Sequence, residues 1–427
     1  MNTSIYKKSL YYSYLNLAIL ALSQIILVPL ILKHTSESEY GVYIVFLTIV
    51  IGFTNIIGWL GASSVKLLSE HYHNNDFQSF NKLYSLLKIA FFLYSLFAFI
   101  LFLILNEFYI NEFLLIDRNK PVLLSLFVFV FVFLLINTNV ESNVMTAIAR
   151  LDLLNKYKFY VSIFAFILSL SLLYTFKSSS MVFLSNALGV LIIYLLIKFF
   201  IYQKKLNIGL TQYWNFDKKE IKMVFIDIGG KAFAYSILRY FLLADVIILS
   251  LLMKTEDIAT FSYYWLPANY LIIILWKFSE NVQPFFMKNF SLQESLENIH
   301  LYQTINKKIV LLSVIASIGY FLIFPYFVYY WVGLEHIDYL ALSTFSIIIV
   351  FLAVYRLDLA VLYSNIKYIE LIKITLFELF IKYIFVFIFY KQFGFFVSIL
   401  GHLLAQIFFV FWYSKKLSKL ELKEKND

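Results

Sequence analysis

One apolar stretch of the sequence, residues 225–252, carries the charged side chains Asp227, Lys231, Arg239 and Asp245. On a helix of about 3.6 residues per turn, Asp227 and Asp245 lie on one line and Lys231 lies close to it. An arginine near the centre of a bilayer costs about 2.5–3.5 kcal/mol, so Arg239 is expected to face protein or water. The stretch therefore predicts a polar cavity in which a guanidinium can bind phosphate oxygens through paired hydrogen bonds.

These charges also have a purely structural explanation. Asp227 and Lys231 stand four residues apart, the spacing at which helical side chains form ion pairs. In that case the charges hold neighbouring helices together and bind no ligand. The sequence leaves both explanations open.

Other cations interrupt apolar stretches elsewhere in the chain. Lys88 and Lys198 can either contact a substrate or extend to the cytoplasmic membrane interface. The charge of Lys382 can be compensated locally by Glu378. The candidates for contact with an anionic substrate are Arg239, Lys231, Arg356, Lys88 and Lys382.

The composition predicts an all-α membrane protein. Hydrophobic residues make up 62% of the chain and charged residues 14%, which is too apolar for a soluble globule. The long apolar runs have no alternating pattern, so the spans are helices rather than barrel strands. Cysteine is absent, which excludes disulfides and thiol chemistry. In such a protein the net charge of +9 indicates contact with anionic membrane lipids rather than with nucleic acid.

Twelve membrane spans are predicted from the apolar runs. The first follows Lys7 and Lys8, as a secretory signal does, but its length and the lack of a small-residue cleavage pattern favour an uncleaved span. The second span follows the connection at 33–43 and ends near 58–66. The others lie at about 10–32, 84–105, 121–149, 157–176, 181–203, 225–252, 260–282, 308–330, 339–364, 371–390 and 394–414.

The distribution of Lys and Arg predicts that both termini are cytoplasmic. Most of these residues fall in the tail and in the loops on the same side as the termini. The predicted outer side is much poorer in them, and its longest loop runs over 107–120. The outer cations are Lys33, Arg118, Lys120, Lys177, Lys254 and Lys391.

The two halves of the sequence resemble each other as a parallel repeat. A shift of about 217 residues brings Arg150 onto Lys367 and Glu141 onto Asp358. Six spans in each half give the two copies the same topology, with a pseudo-twofold axis along the membrane normal. The predicted parts are an N-terminal six-helix lobe (1–205), a cytoplasmic linker (206–224), a C-terminal six-helix lobe (225–414) and a basic tail (415–427).

Acidic side chains within the spans suggest a second role. Glu141 and Asp358 occupy matching places in the repeat, where protonation or sodium binding can shift the balance between inward-open and outward-open states. A carboxylate bonded to Asn139 and Asn143, or paired with Arg356, is the structural alternative. The candidates for coupling or gating are Glu141, Asp358, Asp245 and Asp227.

Several weak motifs together resemble a known family. They are EYGVY at 39–43, GWLGASSVK at 58–66, the polar segment NTNVESN at 137–143 and the layout of six plus six spans. This combination is similar to Wzx-type polysaccharide flippases of the multidrug/oligosaccharidyl-lipid/polysaccharide (MOP) exporter superfamily. The resemblance covers essentially the whole chain, although no single motif is diagnostic.

That resemblance implies a bacterial inner-membrane protein built from a V-shaped pair of six-helix lobes. Its substrate would be an undecaprenyl-pyrophosphate-linked oligosaccharide, moved from the cytoplasmic to the periplasmic leaflet for O-antigen or other surface polysaccharide. The polysaccharide polymerase and the chain-length regulator are the implied protein partners. Aromatic side chains that could stack on sugar rings are Tyr263, Tyr264, Trp265 and Trp276.

Two other functions remain open at the level of the sequence. An O-antigen polymerase or ligase shares the hydropathy, but it needs a substantial outer loop, and no phosphate loop, zinc spacing, nucleophile elbow or dinucleotide fingerprint is present. A cation-coupled multidrug exporter of the same superfamily would favour an acidic cavity, whereas residues 225–252 mix both signs. The sequence therefore predicts a transporter rather than an enzyme, without a cofactor.

Overall fold

Helices form all the regular structure that is described, which confirms the all-α prediction. The structure is a computed structural model, and it describes residues 3–105, 121–204, 208–210, 221–222, 225–226, 229–291, 295–365 and 367–423. The helices are α1 (Thr3–His34), α2 (Glu37–His73), α3 (Phe77–Leu105), α4 (Pro121–Ala147), α5 (Leu151–Phe176), α6 (Ser180–Gln203), α7 (Gly229–Leu243), α8 (Asp245–Ser250), α9 (Thr255–Ser291), α10 (Ser295–Val332), α11 (Tyr339–Ser364), α12 (Tyr368–Phe393), α13 (Val397–Ala405) and α14 (Phe411–Lys423).

Many of these helices are long and apolar enough to cross a membrane. Within the described ranges nine helices meet that condition, and a tenth is counted if the bent stretch from Tyr368 to Lys419 forms one span. The chain is therefore a multi-pass membrane protein. The predicted cytoplasmic linker at 206–224 and the predicted outer loop at 107–120 lie largely outside the described residues.

The predicted seventh span is not one continuous helix. The structure has α7, which ends at Leu243, and the six-residue α8, which begins at Asp245. The sequence suggested that Asp245 shares a helix with Lys231 and Arg239. The structure shows that it does not. Asp227 lies outside the described residues.

Side chains of α12 satisfy the carbonyl groups at the break. The ammonium group of Lys382 donates to the carbonyl oxygen of Leu242 at 2.5 Å, and the hydroxyl of Tyr383 donates to the carbonyl oxygen of Phe241. The last carbonyls of a helix have no partner within the helix, and leaving them unpaired inside a membrane is costly. These two bonds explain how α7 can end beside the buried residue Leu242.

The chain divides into two compact units, Met1–Ser236 and Ile237–Asp427, and the boundary falls within α7. In unit 1, α2 and α3 pack on α4, and α4 packs on α6. In unit 2, α9 and α10 pack on α11, and α11 packs on α13 and α14. The same packing order therefore occurs twice, as the predicted parallel repeat requires.

Helix lengths follow the repeat as well. Both α2 and α9 contain 37 residues, so each is about 55 Å long, well beyond the apolar core of about 30 Å. The last turns of both helices are polar, so the apolar pattern of the sequence ends before the helices do. The predicted ends of these helices are therefore too early.

Close packing at Gly401 gives a test of the α12–α13 contact. A Cβ atom at Gly401 would lie 3.0 Å from the carbonyl oxygen of Lys382 and 3.3 Å from the Cβ of Phe385, whereas one at Gly319 on α10 would meet nothing within 4 Å. We expect Gly401→Ala to lower the melting temperature of the purified protein by several degrees, since overpacking costs about 1–3 kcal/mol. Gly319→Ala is the matched control and should be neutral or slightly stabilising. Equal melting temperatures for the two variants would contradict this packing.

Candidate functional site

Two arginines of unit 2 contact the same aromatic ring. Arg239 of α7 and Arg356 of α11 place their guanidinium carbons 5.7 and 5.2 Å from the ring centre of Trp276 on α9. The indole Nε1 donates a hydrogen bond to the carbonyl oxygen of Leu352 at 2.9 Å, which fixes the orientation of the ring. Cation–π contacts at this range are attractive, so Trp276 holds two cations side by side. We call these three side chains the arginine–tryptophan cluster.

The surroundings of this cluster carry more bases than acids. Arg356 Nη2 lies 3.3 Å from Glu280 Oε1, and Lys277 Nζ lies 2.7 Å from Glu280 Oε2. Arg239 also interacts electrostatically with Glu378. Within the described ranges, three bases therefore face two carboxylates, and Glu280 and its partners are only partly buried. A partly exposed cationic group on an aromatic platform can bind a phosphate group.

Sequence reasoning named both arginines and Trp276 but could not place them together. The alternative in which Arg356 pairs with Asp358 is not formed, because Arg356 contacts Glu280 instead. Residues two apart on a helix point in nearly opposite directions, so Arg356 faces α9 while Asp358 faces α10 and α14. The contact between Arg356 and Trp276 joins residues far apart in the chain, for which the sequence gives no signal.

In unit 1, a buried carboxylate binds two lysines. Glu141 is fully buried, and its Oε1 lies 2.5 Å from Lys88 Nζ and 3.2 Å from Lys198 Nζ. The hydroxyl of Tyr84 donates to the same oxygen at 2.8 Å. The aromatic ring of Tyr194 lies beside both ammonium groups, 5.0 and 5.8 Å from its centre. The alternative in which Asn139 and Asn143 bond to Glu141 is not formed among the described contacts, since Tyr84 and the two lysines occupy Glu141 Oε1.

The corresponding carboxylate of unit 2 is bound mainly by hydroxyl groups. Asp358 is fully buried and accepts hydrogen bonds from Tyr302 at 2.6 Å, Ser418 at 3.0 Å and Ser414 at 3.2 Å. Lys415 contributes electrostatic attraction. This carboxylate therefore has less positive charge next to it than Glu141 has.

The two carboxylate centres have a common plan. In each unit, a tyrosine near the start of one long helix donates to an acid on the next helix, and a lysine from the last helix of the unit adds positive charge. The matching residues are Tyr84 and Tyr302, Glu141 and Asp358, and Lys198 and Lys415. Glu141 and Asp358 therefore have similar surroundings in the two units.

A second buried acid of unit 2 was paired incorrectly at the level of the sequence. Glu378 does not pair with Lys382; it contacts His402 Nε2 at 2.7 Å and accepts a hydrogen bond from Gln406. Lys382 is buried instead beside Asp245, with Nζ 2.5 Å from Oδ1. His402 and Gln406 went unnoticed in the sequence, although two polar residues four apart in an apolar helix are a usable signal. No three His, Asp or Glu side chains within the described ranges are grouped as a metal ion requires.

Unit 1 also contains a neutral polar cavity of about 320 Å³. It lies between α2 and α4, and amide side chains from both helices face it, with the buried ring of Phe91 on α3 behind them. We call it the amide cavity. Its lining residues are Thr54, Asn55, Gly58, Phe91, Leu135, Asn139 and Asn143.

The remaining predicted residues lie apart from the cluster. Lys231 is exposed near the start of α7. Tyr263 and Tyr264 are buried in unit 2, and Trp265 packs against Phe261. Of the four aromatic residues proposed to stack on sugars, Trp276 is the one whose described contacts include predicted cations.

Comparisons with solved structures identify the fold. The chain superposes on an outward-facing multidrug resistance MATE family transporter of the MOP superfamily with a TM-score of 0.73, at 12% identity over 99% of this chain and 96% of that one. An inward-facing structure described in the same terms gives a TM-score of 0.74, at 13% identity over 97% and 100% of the two chains. The chain has the fold of the MOP transporters. The predicted two-lobed architecture is thereby confirmed.

A further structural neighbour is a MOP superfamily transporter from Pyrococcus furiosus. It gives a TM-score of 0.74 at 11% identity, over 98% of this chain and 96% of that one. That protein is described as having a binding pocket of reverse polarity that suggests a different function. No family model and no curated protein matches the sequence.

The two carboxylate centres predict different costs of mutation. Glu141→Ala leaves two lysines without their anion, which typically costs about 3–5 kcal/mol. Asp358→Ala leaves hydroxyl groups, and those of Ser414 and Ser418 also bond to carbonyl groups of their own helix. We therefore expect a larger fall in melting temperature for Glu141→Ala than for Asp358→Ala. The reverse order would contradict the assigned contacts.

Proposed function

We propose that this protein is a flippase for an anionic, lipid-linked oligosaccharide. It would move an undecaprenyl-pyrophosphate-linked repeat unit from the cytoplasmic to the periplasmic leaflet by alternating access, for O-antigen or another surface polysaccharide. The observation that carries this proposal is the arginine–tryptophan cluster. In this account Arg239 and Arg356 bind the pyrophosphate while the polyprenyl chain stays in lipid.

The chemistry of the cluster fits an anion better than a cation. A guanidinium offers paired donors that match two phosphate oxygens, and it keeps its charge at any physiological pH. A cationic drug would need an acid without a base beside it, but Glu280 is shared by Lys277 and Arg356. Glu141 and Asp245 likewise have ammonium partners. Glu280, Glu141 and Asp245 are thus compensated by bases, unlike Asp358, and this balance favours a negatively charged substrate.

A cation-coupled multidrug exporter is the second candidate function. The structural neighbours that are described as multidrug resistance MATE transporters favour it. At 11–13% identity these neighbours inform the fold, and the local charges are the evidence that separates the two candidates. An O-antigen polymerase or ligase has no support from the comparisons.

Coupling to protons or sodium forms part of this proposal. Asp358 is a better candidate than Glu141, because two lysines already neutralise Glu141. The bacterial inner membrane, cytoplasmic termini and contact with the polysaccharide polymerase and chain-length regulator complete the proposed setting. The weaker candidates for substrate contact are Lys231, Lys88 and Lys382. The weaker candidates for gating are Asp227 and Asp245.

Substitution of the arginines tests the function. In a strain lacking the gene, plasmid-borne Arg239→Ala and Arg356→Ala should each fail to restore surface polysaccharide, with a loss of at least tenfold at equal membrane abundance. Arg239→Lys should retain part of the activity, because it keeps the charge but loses the paired donors. Surface polysaccharide is measured by gel staining, and abundance by immunoblot.

Lys373→Ala is the matched control for loss of a cation. Lys373 is exposed and pairs only with its neighbour Glu370 among its described contacts, so this variant should behave as the unmodified protein does. Normal polysaccharide in both alanine variants of the arginines would refute the assigned site. Polysaccharide that is unaffected by gene deletion, with increased sensitivity to lipophilic cationic dyes, would instead favour the multidrug exporter.

A further inference from the structure

The amide cavity of unit 1 has the chemistry of a carbohydrate site. Asn55, Asn139 and Asn143 each offer two N–H donors and one carbonyl acceptor, which matches hydroxyl groups that both donate and accept. The described lining residues carry no charge. Phe91 lies behind this lining and is fully buried, so its ring is not offered to a ligand. Neutral hydrogen-bonding groups suit a sugar better than a phosphate or a lipid chain.

Two of these amides lack the internal bonds that a structural asparagine makes. On the same helix, Asn137 donates to the carbonyl oxygen of Phe133 at 2.9 Å and to Ser95 Oγ at 3.3 Å. Asn139 and Asn143 form no hydrogen bond with another residue that the structure describes. Leaving an amide group without a hydrogen-bond partner in a hydrocarbon environment costs several kcal/mol of free energy. These two side chains therefore require water or a polar ligand as a partner.

Helix α4 keeps the cavity separate from the charges of unit 1. Asn139 and Asn143 lie close together on one face of the helix, four residues apart. Glu141 lies on the opposite face, where Lys88 and Lys198 bind it. The cavity is therefore polar without being cationic.

The repeat gives this cavity a counterpart in unit 2. The shift of 217 residues that relates Glu141 to Asp358 also places Asn139 at Arg356. It places Leu135 at Leu352, whose carbonyl oxygen accepts the hydrogen bond from Trp276. The same place in the scaffold thus carries neutral amides in one unit and the arginine–tryptophan cluster in the other.

We propose that the amide cavity binds the sugar part of the lipid-linked substrate. This inference rests on the proposed flippase function and assigns a second, neutral subsite to it. A volume of about 320 Å³ is at the lower end of ligand pockets. The cavity therefore accepts one segment of the oligosaccharide, not the whole repeat unit.

Filling the cavity is the first test. A Cβ atom at Gly58 would meet nothing within 4 Å, so Gly58→Leu extends into the cavity without an immediate clash. Its matched control is Gly319→Leu, where a Cβ atom is equally unobstructed in α10. We expect Gly58→Leu and the double variant Asn139→Ala/Asn143→Ala to lower surface polysaccharide at least tenfold at equal membrane abundance, and Gly319→Leu to stay within twofold. Full polysaccharide in both cavity variants would overturn the sugar site while leaving the flippase function intact.

Thiol labelling provides a second test that does not depend on transport. Because the chain contains no cysteine, Asn143→Cys introduces a unique thiol. In lipid nanodiscs a membrane-impermeant maleimide should label it at least tenfold faster than Ile318→Cys, which replaces an exposed apolar residue of α10. Equal rates would mean that water does not reach the cavity, which contradicts the inference.

Protection of that thiol identifies the bound group. The saccharide-bearing lipid extracted from the deletion strain should slow labelling at least fivefold, whereas polyprenyl pyrophosphate without sugar should not. Protection by both lipids, or by neither, would overturn the sugar assignment. Failure of the deletion strain to accumulate any saccharide-bearing lipid would instead refute the proposed flippase function.

Discussion

The cost of burying charge in a membrane is the constraint on which this structure depends. A carboxylate inside a spanning bundle persists only with a cation or several hydrogen-bond donors next to it. Glu141, Asp245 and Glu378 have basic partners, and Asp358 has three hydroxyl donors. These contacts join helices that are distant in the chain, and they fix which faces of the helices meet.

The repeat shows which of these polar groups the fold requires. Tyrosine bonded to a carboxylate occurs in both units, at Glu141 and at Asp358, so we interpret it as part of the shared scaffold. The α12–α13 contact differs from its counterpart. Unit 2 places Glu378 of α12 against Gln406, which directly follows α13, whereas the corresponding positions of unit 1 are Val161 and a closely packed Gly189. The scaffold thus tolerates apolar packing at this place, and the polar network of unit 2 is an addition to it.

Much of the architecture could be predicted from the sequence. Apolar runs of helical length gave the fold class, and the shift of about 217 residues gave the repeat that matches Glu141 to Asp358. The break after Leu243 could not be foreseen, because it depends on Lys382 and Tyr383 of a distant helix.

The pairing of buried charges was the least predictable feature. Nearness in sequence suggested Arg356 with Asp358, although helix geometry directs them to different neighbours. The contact of Arg239 and Arg356 with Trp276 likewise follows from tertiary packing alone.

The most direct measurement of the central claim is the leaflet location of the lipid-linked saccharide in a strain lacking this gene. Inverted and right-side-out membrane vesicles, probed with an impermeant sugar-oxidising reagent or lectin, distinguish the two leaflets. The account predicts that complete single repeat units accumulate facing the cytoplasm. Repeat units that reach the periplasmic leaflet but are not lengthened would contradict it and indicate a role in polymerisation.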